Sequence, residues 1–72
     1  MKPINRLEGA LKAVEGLRED ARGWELPVSD ELQDPGGMNM ALITDAILKK
    51  GWEPDGFIQK EGYRIYLYKR MV

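Results

Sequence analysis

The chain contains no cysteine and no histidine, and among its 72 residues Ser29 is the one serine and Thr44 the one threonine. Without cysteine no disulfide can staple a small fold, and without either residue the usual zinc sites are out of reach. Nucleophilic triads and Cys/His pairs need an imidazole beside the attacking atom, so that chemistry is excluded too. No apolar run approaches the roughly 18 residues that cross a bilayer. The N-terminal MKPINRLEGALKAVEG also lacks the unbroken apolar stretch of a signal peptide. The expectation is a soluble, cytoplasmic protein with no membrane partner, folded as a single domain over residues 1 to 72.

A domain of this length buries only roughly 60% of the surface of its unfolded chain. One core then leaves about 3–5 kcal/mol of net stability. The formal net charge of −1 conceals a polarity. Residues 24–48 contain Glu25, Asp30, Glu31, Asp34 and Asp45 and no base, whereas residues 49–72 contain six bases against Glu53, Asp55 and Glu61. The aromatics are few and clustered: Phe57, Tyr63, Tyr66 and Tyr68 fall in FIQKEGYRIYLYKR, residues 57 to 70.

That stretch reads as a β-hairpin. Tyr63, Ile65 and Leu67 alternate with Arg64, Tyr66, Tyr68 and Arg70, a period of two in residue types that suit a pleated surface. Phe57 to Lys60 supply the partner strand, and Glu61-Gly62 the turn, where glycine can take a positive φ without a Cβ clash. A two-residue loop sets Lys60 opposite Tyr63, Ile58 opposite Ile65, Phe57 opposite Tyr66 and Glu53 opposite Arg70. A three-residue loop closed by Gly62 as a bulge would exchange Phe57 and Ile58 between faces.

Upstream, Ile4, Leu7, Leu11, Val14, Leu17 and Ala21 recur at helical spacing after Pro3, which predicts an amphipathic helix over about residues 4 to 22. Gly9 and Gly16 share one side of it, a place for close approach or simply two tolerated glycines. Trp24, Leu26 and Val28 suit a short edge strand, because Pro27 lacks a ladder donor. Ser29 can cap a helical turn from Asp30 to Asp34. Asn39 is the expected N-cap of a second helix, about residues 40 to 50, with Met40, Ile43, Ala46 and Ile47 on its apolar face and Gly51 at its end. Glu53-Pro54-Asp55-Gly56 is a turn, or a bulge if the strand already begins at Trp52.

The fold expected is therefore α+β, with two helices packed on one face of a small antiparallel sheet, in the order helix, weak strand, helix, hairpin. Ile65 and Leu67, with Ile58 or Phe57, are expected to face the helices. The stripe Arg64, Tyr66, Tyr68, Arg70 is then on the uncovered face.

Little catalytic chemistry is available. Asp30, Glu31 and Asp34 match no calcium loop and read as solvated acids that complement a helix dipole. Gly36-Gly37 precedes a helix, yet no Lys-Ser/Thr follows and the segment before it is acidic, so it reads as a helix-breaking turn rather than a phosphate cradle. No enzyme activity, metal, cofactor or small-molecule substrate is expected. The candidate binding residues are Arg64, Tyr66, Tyr68, Arg70, Phe57 and Lys60. Tyrosine and arginine together are enriched at the centres of protein interfaces, and an exposed pair of tyrosines is an apolar patch. The expectation is contact with a protein partner or a second copy of the chain. The same residues could instead stack bases and neutralise phosphates of a single-stranded nucleic acid, or form an ordinary soluble sheet face.

Residues 40 to 70, a helix ending in KKGWE followed by a hairpin through QKEGYRIYLYKR, resemble the helix–strand–strand unit of the small RNA-cleaving toxins called HicA. In that family a histidine follows the turn glycine and carries the activity. Tyr63 and Arg64 occupy those places here, so the resemblance carries no activity over.

Overall fold

The computed structural model describes residues 2–18 and 20–71. Its elements in chain order are α1 (Leu7–Glu15), β1 (Gly23–Ser29), a short 3-10 turn (Asp30–Leu32), α2 (Met38–Lys49), β2 (Trp52–Lys60) and β3 (Tyr63–Arg70). The strands form one sheet in the order β1-β3-β2, and β3 is antiparallel to both neighbours. The outer strands are thus parallel to each other, joined by the crossover through α2. The fold is α+β with both helices on one face of an antiparallel sheet, as the sequence implies.

The core shows which face that is. Ala10 and Val14 of α1, Ile43 and Ile47 of α2, Leu26 and Val28 of β1, Trp52 of β2 and Tyr68 of β3 form a single buried cluster, with Trp24 and Tyr66 packed against it. Trp24 pairs with Tyr68, Leu26 with Tyr66 and Val28 with Arg64, so these side chains share one side of the sheet. The expected orientation of the sheet is corrected: the helices cover the tyrosine-bearing face, while Ile65 and Leu67 turn away from them. The physical reason lies in the neighbouring strands. The all-apolar alternation of Trp24, Leu26 and Val28, together with Trp52, falls in register with the even residues of β3, and the combined area of these large side chains outweighs two aliphatic residues.

The hairpin loop has two residues. Lys60 pairs with Tyr63, Ile58 with Ile65 and Phe57 with Tyr66, as that loop requires. Further along the register differs, because β2 starts at Trp52 and carries one extra residue between Pro54 and Phe57. Gly56 takes up this bulge at φ 105, a conformation side chains with a Cβ rarely adopt. Glu53 consequently faces Lys69 instead of Arg70. The Lys69 ammonium lies 3.7 Å from Glu53 and 3.7 Å from Asp55.

The first helix is much shorter than its periodicity suggests, nine residues from Leu7 to Glu15 with Gly16 as the C-cap. Ile4 is not helical: its N–H donates to Pro27 O at 2.9 Å, and its carbonyl accepts from Ser29 N–H at 2.8 Å. This bridge on the outer side of β1 uses the backbone groups a longer helix would need. Leu17 is buried, and Glu19, within the expected helix, lies outside the described residues. A Cβ on Gly9 would lie 3.6 Å from the Ile4 side chain, an ordinary contact.

Ser29 caps the 3-10 turn as expected, its Oγ accepting from Glu31 N–H at 3.2 Å. The cap of α2 differs. Asn39 lies inside the helix and donates its side-chain amide to Leu32 O, while the Asp34 carboxylate accepts from the N–H groups of Met38 and Asn39 at 3.2 and 3.1 Å. A carboxylate thus already occupies the anion-favouring end of this helix. No described helix is long and apolar enough to cross a membrane.

Candidate protein interface

The two faces of β3 offer different surfaces. On the helix side, Tyr68 is only 3% exposed and its ring centroid lies 5.5 Å from that of Trp24. Burial pushes the Tyr68 hydroxyl above the usual tyrosine range, and neighbouring Tyr66 adds to the effect. Tyr66 is half-buried and donates its hydroxyl to Gln33 Oε1 at 2.9 Å, which ties the strand to the segment after the 3-10 turn.

The arginines beside these tyrosines are held by neutral partners. Arg64 donates from Nε to Gln59 Oε1 at 2.7 Å and from Nη1 to the Tyr66 hydroxyl at 3.3 Å, and its guanidinium lies 4.6 Å from the centroid of the Phe57 ring. Arg70 covers the edge of the core, 5.3 Å from the Trp52 centroid, and donates to Ala21 O at 3.4 Å. Such stacking favours a guanidinium, whose planar and weakly hydrated head tolerates an aromatic face.

Of the six candidate residues, the structure brings Phe57, Arg64 and Tyr66 together on the helix side. Phe57 is half-exposed there, on an edge strand. Tyr68 sits in the core, Arg70 stands at the far end with Trp52, and Lys60 lies on the opposite face beside Tyr63. The expected continuous Tyr/Arg surface is therefore divided, with its central tyrosine withdrawn from solvent.

Among the described residues no helix covers the opposite face. Ile58 on β2 and Tyr63, Ile65 and Leu67 on β3 lie there, with none of them in the core cluster or packed against it. Ile58 is 43% exposed, and the central-strand residues are half-shielded by their neighbours in the sheet. Glu25, Lys60 and the group formed by Lys69 with Glu53 and Asp55 surround these side chains. An antiparallel sheet normally presents polar side chains on its solvated face. An aliphatic centre with a charged margin is instead the composition of a contact surface.

The sequence carries one signal for this face, the parity of the first strand, which decides only once its register with β3 is known. Glu25 and Pro27 alternate with Trp24, Leu26 and Val28, and whichever β3 set faces the larger residues must be inside. Among the described residues no group of three or more acidic side chains is placed to hold a metal ion. No family model, no curated protein and no solved structure matches this chain.

Proposed function

We propose that this chain is a non-catalytic binding protein and that its contact surface is the uncovered face of the sheet, centred on Ile58, Ile65 and Leu67. One observation carries the reading: three aliphatic side chains lie together on the face opposite both helices, outside the core. Covering such a face removes apolar area from water at about 25 cal/mol per Å². Half-shielded central-strand residues also lose little side-chain freedom on contact, because their rotamers are already restricted by the pleat.

A protein suits this face better than a nucleic acid does. Lys60 and Lys69 are accompanied there by Glu25, Glu53 and Asp55, so a phosphate backbone would meet more carboxylates than ammonium groups. The arginines lie on the helix side, stacked on Phe57 and Trp52.

The test is site-specific photocrosslinking in the cells that make the protein. A photoreactive side chain at Leu67 is expected to yield a discrete protein adduct. The same group at Asp45, exposed on α2, is not expected to do so, and Ile58→Lys should remove the Leu67 adduct. Absence of an adduct from position 67, or an equal one from position 45, would contradict the proposal.

A further inference from the structure

The charges around the open face also bear on its occupant. Glu53 and Asp55 share the single Lys69 ammonium at one end, which leaves an excess negative charge there. At the other end Lys60 stands opposite Tyr63 and makes no ion pair among the described residues. Glu61 belongs to the turn, beyond the paired positions. The acidic and basic ends lie on the same strand, β2, with the aliphatic centre between them.

We infer that the occupant is a second copy of this chain, stacked face to face in an antiparallel arrangement; this rests on the binding reading above. A two-fold axis crossing β3 between Ile65 and Leu67 lays Leu67 of one copy on Ile65 of the other. It brings Lys60 of each over Glu53 and Asp55 of its mate. The surface is self-complementary, as a two-fold interface requires. Reversing the direction of stacking about an axis along β3 sets Lys60 over Ser29 and Glu25 beside Asp55, leaving one base unpaired and two acids together. Charge therefore selects the antiparallel form, because like charges juxtaposed across an interface are strongly disfavoured. Two sheets stacked about 10 Å apart interdigitate their aliphatic side chains in the manner of a sandwich.

The test is sedimentation equilibrium of the purified full chain from about 20 μM to about 1 mM, a range that brackets micromolar-to-millimolar dissociation constants. The wild type is expected to populate a dimer. Leu67→Lys and, independently, Ile58→Lys should leave monomers with an unchanged circular dichroism spectrum. Lys60→Glu should weaken the dimer about tenfold or more, since each of two symmetric contacts becomes repulsive, and Lys60→Glu with Glu53→Lys should recover most of the loss. A wild type monomeric throughout, or a dimer indifferent to both aliphatic variants, overturns the inference. Failure of the charge pair to rescue overturns the antiparallel arrangement. A monomer that still gives a Leu67 adduct to a different protein leaves the binding reading standing and removes self-association alone.

Discussion

The two faces of β3 are both largely apolar, but they differ in what lies across from them. Tyr66 and Tyr68 meet Trp24, Leu26 and the core built with two helices; among the described residues, Ile65 and Leu67 pair with strand neighbours and lie outside that core. Hydrophobicity ranked residue by residue would bury the aliphatic pair. Burial is instead decided by the whole set of side chains that share a side, and here the aromatic set is larger and includes residues from every strand. The polar tips of the tyrosines do not prevent this, since Tyr66 reaches Gln33 from its half-buried position.

That contrast can be tested by substitutions on the two faces. The largest effect is expected for Tyr68→Ala, where the lost aromatic ring leaves a cavity worth about 3–5 kcal/mol. This is comparable to the roughly 3–5 kcal/mol available to a domain of this size, so the variant should be unfolded at 25 °C by circular dichroism. Asp34→Ala removes the acceptor for two N–H groups at the start of α2 and should cost about 1–2 kcal/mol, read as a lowered urea midpoint. Arg64→Ala loses the contact over Phe57 and two side-chain hydrogen bonds and should cost about 1 kcal/mol by the same assay. Leu67→Lys, on the open face, should change monomer stability by only about 0.5 kcal/mol.

The smallest effect sharpens the comparison through pH. The Tyr68 pKa is raised in the folded state, so the fold binds this proton more tightly than the unfolded chain does. Its contribution is complete below the unfolded pKa of about 10 and is lost as pH rises above it. Urea midpoints should fall more between pH of about 9 and about 11 in the wild type than in Tyr68→Phe. An equal fall in both would show that Tyr68 is not the group responsible.

Much of the fold was legible in the sequence, and the exceptions have physical causes. The hairpin, Ser29 as a cap and the apolar face of α2 are local patterns, each read from residues close in sequence, whereas the choice of a two-residue over a three-residue turn is set by the pairing of β2 with β3. The start of α1 was not legible, because the bridge of Ile4 to β1 joins positions 24 apart and competes with helical hydrogen bonds, and its early end at Gly16 interrupts a periodicity that runs on to Ala21. The cap of α2 came from Asp34 rather than the adjacent polar residue, since the chain turns back through Gly36 and Gly37. The candidate site was only partly legible. Periodicity grouped Arg64, Tyr66, Tyr68 and Arg70 correctly on one side, but their direction depended on strand pairing between β1 and β3, which no local pattern carries. Lys60, paired with Tyr63, falls on the other face from the stripe.

The most direct test of which face is open is methyl NMR of the protein at a concentration where it is monomeric, with and without a soluble paramagnetic agent. The Ile58 and Leu67 methyls should broaden strongly, while those of Ile43 and Ile47, fully buried between helix and sheet, stay sharp. Sharp Ile58 and Leu67 resonances in the monomer would contradict the account, because those side chains would then be covered by the fold itself.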